Sequence, residues 1–143
     1  WLKEFSSEDY MHALKDVFSN NSDASLQLYI HFPFCKMQCW YCQCYQMVEN
    51  NQSKIKIMVD YLIKELNLLF GFLTDNSIKV NFSEIHFGGG SPTHMNREDF
   101  DLIINKLQSF INFKDLSEEV HHCIFISMKI NQYFNSKSEI SSL

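Results

Sequence analysis

Residues 28–44 read Leu28-Tyr29-Ile30-His31-Phe32-Pro33-Phe34-Cys35-Lys36-Met37-Gln38-Cys39-Trp40-Tyr41-Cys42-Gln43-Cys44. Leu26, Leu28, Ile30 and Phe32 alternate with Gln27, Tyr29 and His31, a period of two that predicts a β-strand. Pro33 ends it, because proline has no N–H to donate to a sheet ladder. The cysteines follow at once as C-x3-C-x2-C-x-C, so they sit on a loop just beyond a strand's C-terminal end. Ligand sites of parallel sheets and barrels gather at that edge.

Working outward, Ser6-Ser7-Glu8-Asp9 has the composition of a helix start, with a capping hydroxyl ahead of acidic residues. Tyr10, Met11, Leu14, Val17 and Phe18 then recur at helical spacing, and Asn20-Asn21-Ser22-Asp23 closes the element. Beyond the cysteines, Ile55, Met58, Leu62, Leu66 and Leu69 predict a helix from Ser53 to Phe70, with Gly71 and Asp75-Asn76 as its break. Glu84-Ile85-His86-Phe87 is a short strand that runs into Gly88-Gly89-Gly90-Ser91-Pro92-Thr93. Asn96 is placed to cap a third helix whose apolar face is Phe100, Ile103, Ile104, Leu107 and Ile111. The apolar run from Cys123 to Ile130 predicts a third strand. Strands alternating with helices imply right-handed βαβ units, hence an α/β fold with parallel strands. No internal repeat or low-complexity tract interrupts the pattern.

Composition narrows the function. The 143 residues suffice for one ordinary domain, and 45% apolar residues with 13 Phe suffice for a core. A net charge of −5 and a single Arg argue against a nucleic-acid partner, which demands clustered cations. No apolar run approaches the ~20 residues that span a bilayer, so no membrane partner is expected. Trp1-Leu2-Lys3-Glu4-Phe5 lacks the layout of a secretory signal, and a cytoplasmic, monomeric protein is the expectation.

Four of the five Cys fall between positions 35 and 44. Thiolates are soft donors that suit iron–sulfur clusters and zinc. Gaps of three and then two residues let one loop wrap three corners of a cubane cluster and leave its fourth iron open. Cys44, one residue beyond Cys42, is awkward as a further ligand of the same cluster and is assigned a separate role. A structural zinc site usually pairs two distant C-x2-C knuckles, and no second knuckle is present. Disulfides in so short a loop constrain little and suit secreted proteins. An iron–sulfur site is the favoured reading, with zinc, a disulfide and inert thiols as alternatives.

These residues resemble a known family. C-x3-C-x2-C is similar to the signature of the radical S-adenosylmethionine (SAM) enzymes. Tyr29-Ile30-His31-Phe32-Pro33-Phe34-Cys35 resembles the YxHxPFC segment of the oxygen-independent coproporphyrinogen III oxidases, also called dehydrogenases. Gly88-Gly89-Gly90-Ser91-Pro92-Thr93 resembles that family's GGGTPT at a similar distance downstream. Cys44 favours the oxidase branch over the related haem chaperones, which typically carry an aromatic residue there. The resemblance covers Trp1 to Ile111 and implies the N-terminal part of a partial (β/α) radical SAM barrel.

The resemblance also implies roles. Cys35, Cys39 and Cys42 would ligate a 4Fe–4S cluster whose open iron chelates the amino and carboxylate groups of SAM. Reductive cleavage then gives methionine and a 5′-deoxyadenosyl radical. In the family that radical takes hydrogen from propionate groups of the tetrapyrrole substrate, and oxidative decarboxylation yields protoporphyrinogen IX. The cofactors carry the hard chemistry and the protein positions them. Tyr29 matches the SAM-contacting Tyr, and Tyr41 matches the ring placed near the adenine. Gly89, Gly90 and Ser91 match the SAM-binding glycine segment, where a backbone without Cβ approaches the bound amino group. Cys44 matches the extra Cys that the oxidases retain for activity. An electron donor is implied as a further partner.

Blander readings stand beside these. Tyr29 also fits an outward strand aromatic, Tyr41 a hydrophobic filler, and the glycines a tight turn. His31 fits a hydrogen bond within the sheet. His86, His94, His121 and His122 fit surface or satisfied histidines. Asn50-Asn51-Gln52 and the pair Lys54 and Lys56 fit a solvated loop and helix start.

The sequence departs from the family at two places. Gln43-Cys44-Tyr45 replaces the usual Gly-Cys-Asn, and no Glu-x-Asp-Pro follows the third helix. From near Val120 the resemblance is lost, and Asn131 to Leu143 is polar and Ser-rich. The expectation is therefore an N-terminal helical segment over 1–25 and a partial barrel core over 26–120. Over 121–143 a divergent tail is expected, truncated or frame-disrupted. Such a fragment is expected to be inactive by itself. A haem-binding chaperone-like protein and a zinc-stapled module are the alternative functions.

Overall fold

The computed structural model describes residues 6–20 and 25–116. In chain order these form α1 (Ser7–Asn20), β1 (Ser25–Phe32), β2 (Phe34–Cys35), β3 (Met47–Val48), α2 (Gln52–Asp75), β4 (Asn81–Gly89) and α3 (Arg97–Gln108). Single 3-10 turns occupy Pro92–His94 and Phe113–Asp115. The expected strand over 123–130 and the tail over 121–143 lie outside the described residues.

Local chemistry sets most of these boundaries. Ser6 and Asp9 cap α1 reciprocally: the Asp9 N–H donates to Ser6 Oγ at 3.1 Å, and the Ser6 N–H donates to Asp9 Oδ2 at 3.0 Å. Asn51 Oδ1 accepts from the Ser53 N–H at 2.9 Å to start α2. Asn96 Oδ1 accepts from the Asp99 N–H at 2.8 Å to start α3, as its position predicts. Ile111 is buried as expected but lies past the end of α3.

Helix α2 runs further than its sequence suggests. It passes through Gly71 to Asp75, and the Asn76 side chain then donates to the Phe72 carbonyl at 2.8 Å. A helical glycine costs about 1 kcal/mol relative to Ala. Phe72 and Leu73 are both buried in the core, and each buried side chain of that size contributes roughly 1.5–3 kcal/mol. Burial therefore outweighs the glycine, and the helix continues.

Strands β1 and β4 pair in parallel, from Ser25 opposite Asn81 to Phe32 opposite Gly89, with one register shift between Leu26 and Gln27. Their connection runs through α2, as the expected βαβ unit requires. Ile30, Phe32 and Ile85 of this sheet pack with Ile55, Val59, Leu62 and Leu66 of α2 and with Phe100, Ile103, Ile104 and Leu107 of α3. Phe70 stacks on Phe110 with ring centroids 4.2 Å apart. Leu14 and Phe18 of α1 pack against the same core, and the Lys15 ammonium lies 5.9 Å from the centre of the Phe72 ring.

Candidate functional site

The parallel register brings the C-terminal ends of β1 and β4 together, with His31 opposite Gly88 and Phe32 opposite Gly89. Both chemistry-bearing segments leave from this edge. The chain past β4 then folds onto the start of the cysteine loop: the Gly90 N–H donates to the Phe32 carbonyl at 2.6 Å, and the Ser91 N–H donates to the Phe34 carbonyl at 2.9 Å. The Cys35 thiol and the Ser91 hydroxyl consequently lie 3.6 Å apart.

Glycine is needed here for close approach. A Cβ on Gly90 would strike the backbone of Phe34, which has nowhere to move within β2. Gly89 has a φ of +95°, a region closed to most L side chains, and a Cβ there would enter the His31 ring. The glycines thus serve a tight turn packed against β1 and β2.

The cysteine loop is closed at its base, which its irregular sequence does not announce. β2 and β3 form a two-residue parallel pair, Phe34 with Met47 and Cys35 with Val48. The Met47 N–H donates to the Pro33 carbonyl at 2.8 Å and the Glu49 N–H to the Cys35 carbonyl at 3.2 Å. The Asn50 side-chain amide adds a bond to the Lys36 carbonyl at 3.3 Å. His94, from the turn after the glycines, reaches the far end of the loop, with Nε2 2.7 Å from the Glu49 carbonyl oxygen.

Within the loop, Cys42 N–H donates to the Cys39 carbonyl at 3.1 Å and forms a turn. Cys35, Cys39, Cys42 and Cys44 are all free thiols; Cys35 and Cys42 are half-buried, and Cys39 and Cys44 are exposed. A hydrogen bond with the Cys42 side chain, followed by the nearby charges of Cys42 and Cys35, pushes the Cys44 thiol pKa up. Cys44 thus interacts with Cys42 and Cys35 across the loop. Among the described residues no three His, Cys, Asp or Glu side chains are gathered tightly enough to hold a metal ion.

Tyr29 and His31 share one face of β1, with the Tyr29 hydroxyl 3.4 Å from His31 Nδ1 and the ring centroids 6.1 Å apart. His31 also faces the Tyr45 ring at 6.0 Å. Its Nε2 is buried and has no hydrogen-bond partner among the described residues, so the expected bond within the sheet leaves one nitrogen unused. Tyr29 is 59% exposed beside the glycine segment, and Tyr41 is 87% exposed on the loop. By their chemistry, the free thiols on this closed loop are soft donors of the type that an iron–sulfur cluster takes.

No protein-family model matches the chain. It is 28% identical over 107 residues to the oxygen-independent coproporphyrinogen III oxidase of Pseudomonas aeruginosa, across 75% of this chain and 22% of that protein. It is 34% identical over 119 residues to the enzyme of the same name from Helicobacter pylori, across 79% of this chain and 25% of that protein. The solved coproporphyrinogen III oxidase of Escherichia coli, described as a radical SAM enzyme, superposes with a TM-score of 0.60 at 25% identity, covering 75% of this chain and 23% of that one. The chain is homologous to the oxygen-independent coproporphyrinogen III oxidases.

This oxidase homologue spans about a quarter of the length of those relatives. Its mixed α/β fold with parallel strands matches part of the radical SAM barrel of the Escherichia coli enzyme. Among its described residues, no helix is long and apolar enough to cross a membrane. Two features of the homologue had no signal in its sequence. The bond from His94 to Glu49 spans 45 residues, and neither partner stands out by type or spacing. Lys56, expected to be simply solvated, lies 3.4 Å from the buried carboxylate of Asp99.

Proposed function

We propose that the chain is part of a radical SAM oxidoreductase that converts coproporphyrinogen III to protoporphyrinogen IX. The observation that carries this reading is the meeting of two motifs: the thiol of Cys35 lies beside the hydroxyl of Ser91, in a chain homologous to the oxidases of that name. Cys35, Cys39 and Cys42 would hold a 4Fe–4S cluster, and Tyr29, Tyr41, Gly89, Gly90 and Ser91 would line the SAM site. When bound, these two cofactors supply a carbon radical able to take hydrogen from a substrate propionate.

The chain's own residues hold and orient. Gly90 and Ser91 are tied by their N–H groups to the carbonyls of Phe32 and Phe34, so the SAM segment and the first ligand keep a fixed separation. The loop past Cys35 has exposed thiols, and cluster binding would draw Cys39 in beside Cys42. Cys44 would serve turnover rather than ligation. A tetrapyrrole substrate and an electron donor are the proposed partners, in the cytoplasm. The partial barrel core is proposed to occupy 26–120, between an N-terminal helical segment over 1–25 and a divergent tail over 121–143.

Anaerobic reconstitution of the 143-residue chain with iron and sulfide tests the reading. Bound iron with acid-labile sulfide, a spectrum that changes on SAM addition, and loss of both in Cys35→Ala are expected. Zinc uptake without sulfide would identify a structural staple instead, and stoichiometric haem binding without a cluster would identify a chaperone-like protein. The chain alone is expected to release no 5′-deoxyadenosine, and release of it would overturn the expectation of an inactive fragment.

A further inference from the structure

Four residues close a circuit around the start and end of the cysteine loop. The Glu49 N–H donates to the Cys35 carbonyl at 3.2 Å, and the Glu49 carbonyl accepts from His94 Nε2 at 2.7 Å. The His94 N–H donates to the Ser91 carbonyl at 2.8 Å, and the Ser91 hydroxyl returns to the Cys35 thiol at 3.6 Å. A carbonyl oxygen can only accept, so Nε2 of His94 carries the proton in this bond. The circuit joins the far end of the loop to the glycine-rich turn by a side chain that none of the motif residues supplies.

We infer that His94 is a positioning residue for the cysteine loop, holding the loop's far end against the glycine-rich turn. Without its N–H the Glu49 carbonyl loses its tie to that turn, and only the start of the loop stays bonded to it, through the Gly90 N–H to the Phe32 carbonyl and the Ser91 N–H to the Phe34 carbonyl. Those bonds place the Cys35 end of the base over Ser91, and the His94 side chain is what joins the Glu49 end to the same turn. His94 therefore sets the Glu49 end of the loop, and with it the thiols between the two ends, against the segment carrying Gly89, Gly90 and Ser91. The inference rests on the proposed function for what the loop holds, and the clasp itself rests on the hydrogen bonds alone.

The test compares the parent chain with His94→Leu, which cannot donate, and His94→Gln, whose amide can. In the metal-free chain, iodoacetamide should alkylate the half-buried Cys35 and Cys42 about five- to tenfold faster in His94→Leu, the factor carried by one ordinary hydrogen bond. His94→Gln should stay within about twofold of the parent. Iron content after reconstitution should fall and recover in the same order. Equal alkylation rates in parent and His94→Leu would overturn the inference. So would a rise accompanied by faster amide exchange at the buried Ile103 and Leu107, because that pattern marks general loosening. If the parent takes up no iron, the iron–sulfur reading fails while the alkylation comparison still decides the clasp.

Discussion

The thiol of Cys35 and the hydroxyl of Ser91 lie 3.6 Å apart although 56 positions separate them in the chain. One belongs to the cysteine loop beyond β1 and the other to the turn beyond β4. Their meeting follows from a parallel register that ends both strands at the same edge. A ligand that touches the Cys35 thiol would therefore also meet the Ser91 turn.

Ser91→Ala removes the hydroxyl but keeps the backbone bond from the Ser91 N–H to the Phe34 carbonyl. The fold should be unaffected, because the hydroxyl contact is exposed. SAM affinity of the reconstituted chain should fall by about five- to tenfold, as expected for one lost hydrogen bond, and Ser91→Thr should restore it. Titration calorimetry under anaerobic conditions measures both.

Two glycine substitutions should have opposite signs. Gly90→Ala drives a Cβ into the backbone of Phe34 and should destabilise the chain by about 1–3 kcal/mol. Gly71 lies within α2 with nothing near the position a Cβ would take. Gly71→Ala should stabilise by about 0.4–1 kcal/mol, through helix propensity and a less free unfolded chain. Urea midpoints of the two variants should therefore move to either side of the parent's.

The loop's closing end should weaken in acid. A hydrogen bond from Lys54, and then one from the Asn51 backbone, hold the Glu49 carboxyl below its ordinary pKa. A carboxylate with a depressed folded-state pKa contributes stability that is present above its unfolded value and lost as pH falls through the folded one. The parent should lose stability as pH drops below 4.5, and Glu49→Gln should lose less over the same window. Denaturant unfolding of both chains between neutral and acidic pH reads the difference.

Lys56 bridges α2 and α3, with its ammonium 2.8 Å from Asp60 and 3.4 Å from Asp99. The hydrogen bond to Asp60, with that to Asp99 behind it, raises the Lys56 pKa. Such a group contributes stability that is fully present below its unfolded pKa and lost as pH rises through the raised one. Lys56→Met should lower the urea midpoint at neutral pH, because the buried Asp99 carboxylate is left without its cation. The double variant Lys56→Met with Asp99→Leu should recover part of the loss, and the parent's decline above pH 10.5 should be absent from both.

The elements legible from the sequence are those whose cause lies within a few residues. Asn96 caps α3 because its side chain meets an N–H three positions on. β1 follows from alternation and a stopping proline. Gly71 misled because the local cost of glycine is visible in the sequence, whereas the burial of Phe72 and Leu73 that offsets it is not. The pairing of β2 with β3 was equally hidden, since two-residue strands carry no period.

By itself the sequence determined the strand-loop-helix order, the caps and the α/β class. Only the tertiary structure decided that Cys35 faces Ser91, that His94 clasps Glu49, and that Lys56 answers Asp99. Each of these contacts depends on how strands and helices far apart in the chain are set against one another. That placement is fixed by burial of a shared core, which is non-directional and leaves no spacing in the sequence to read.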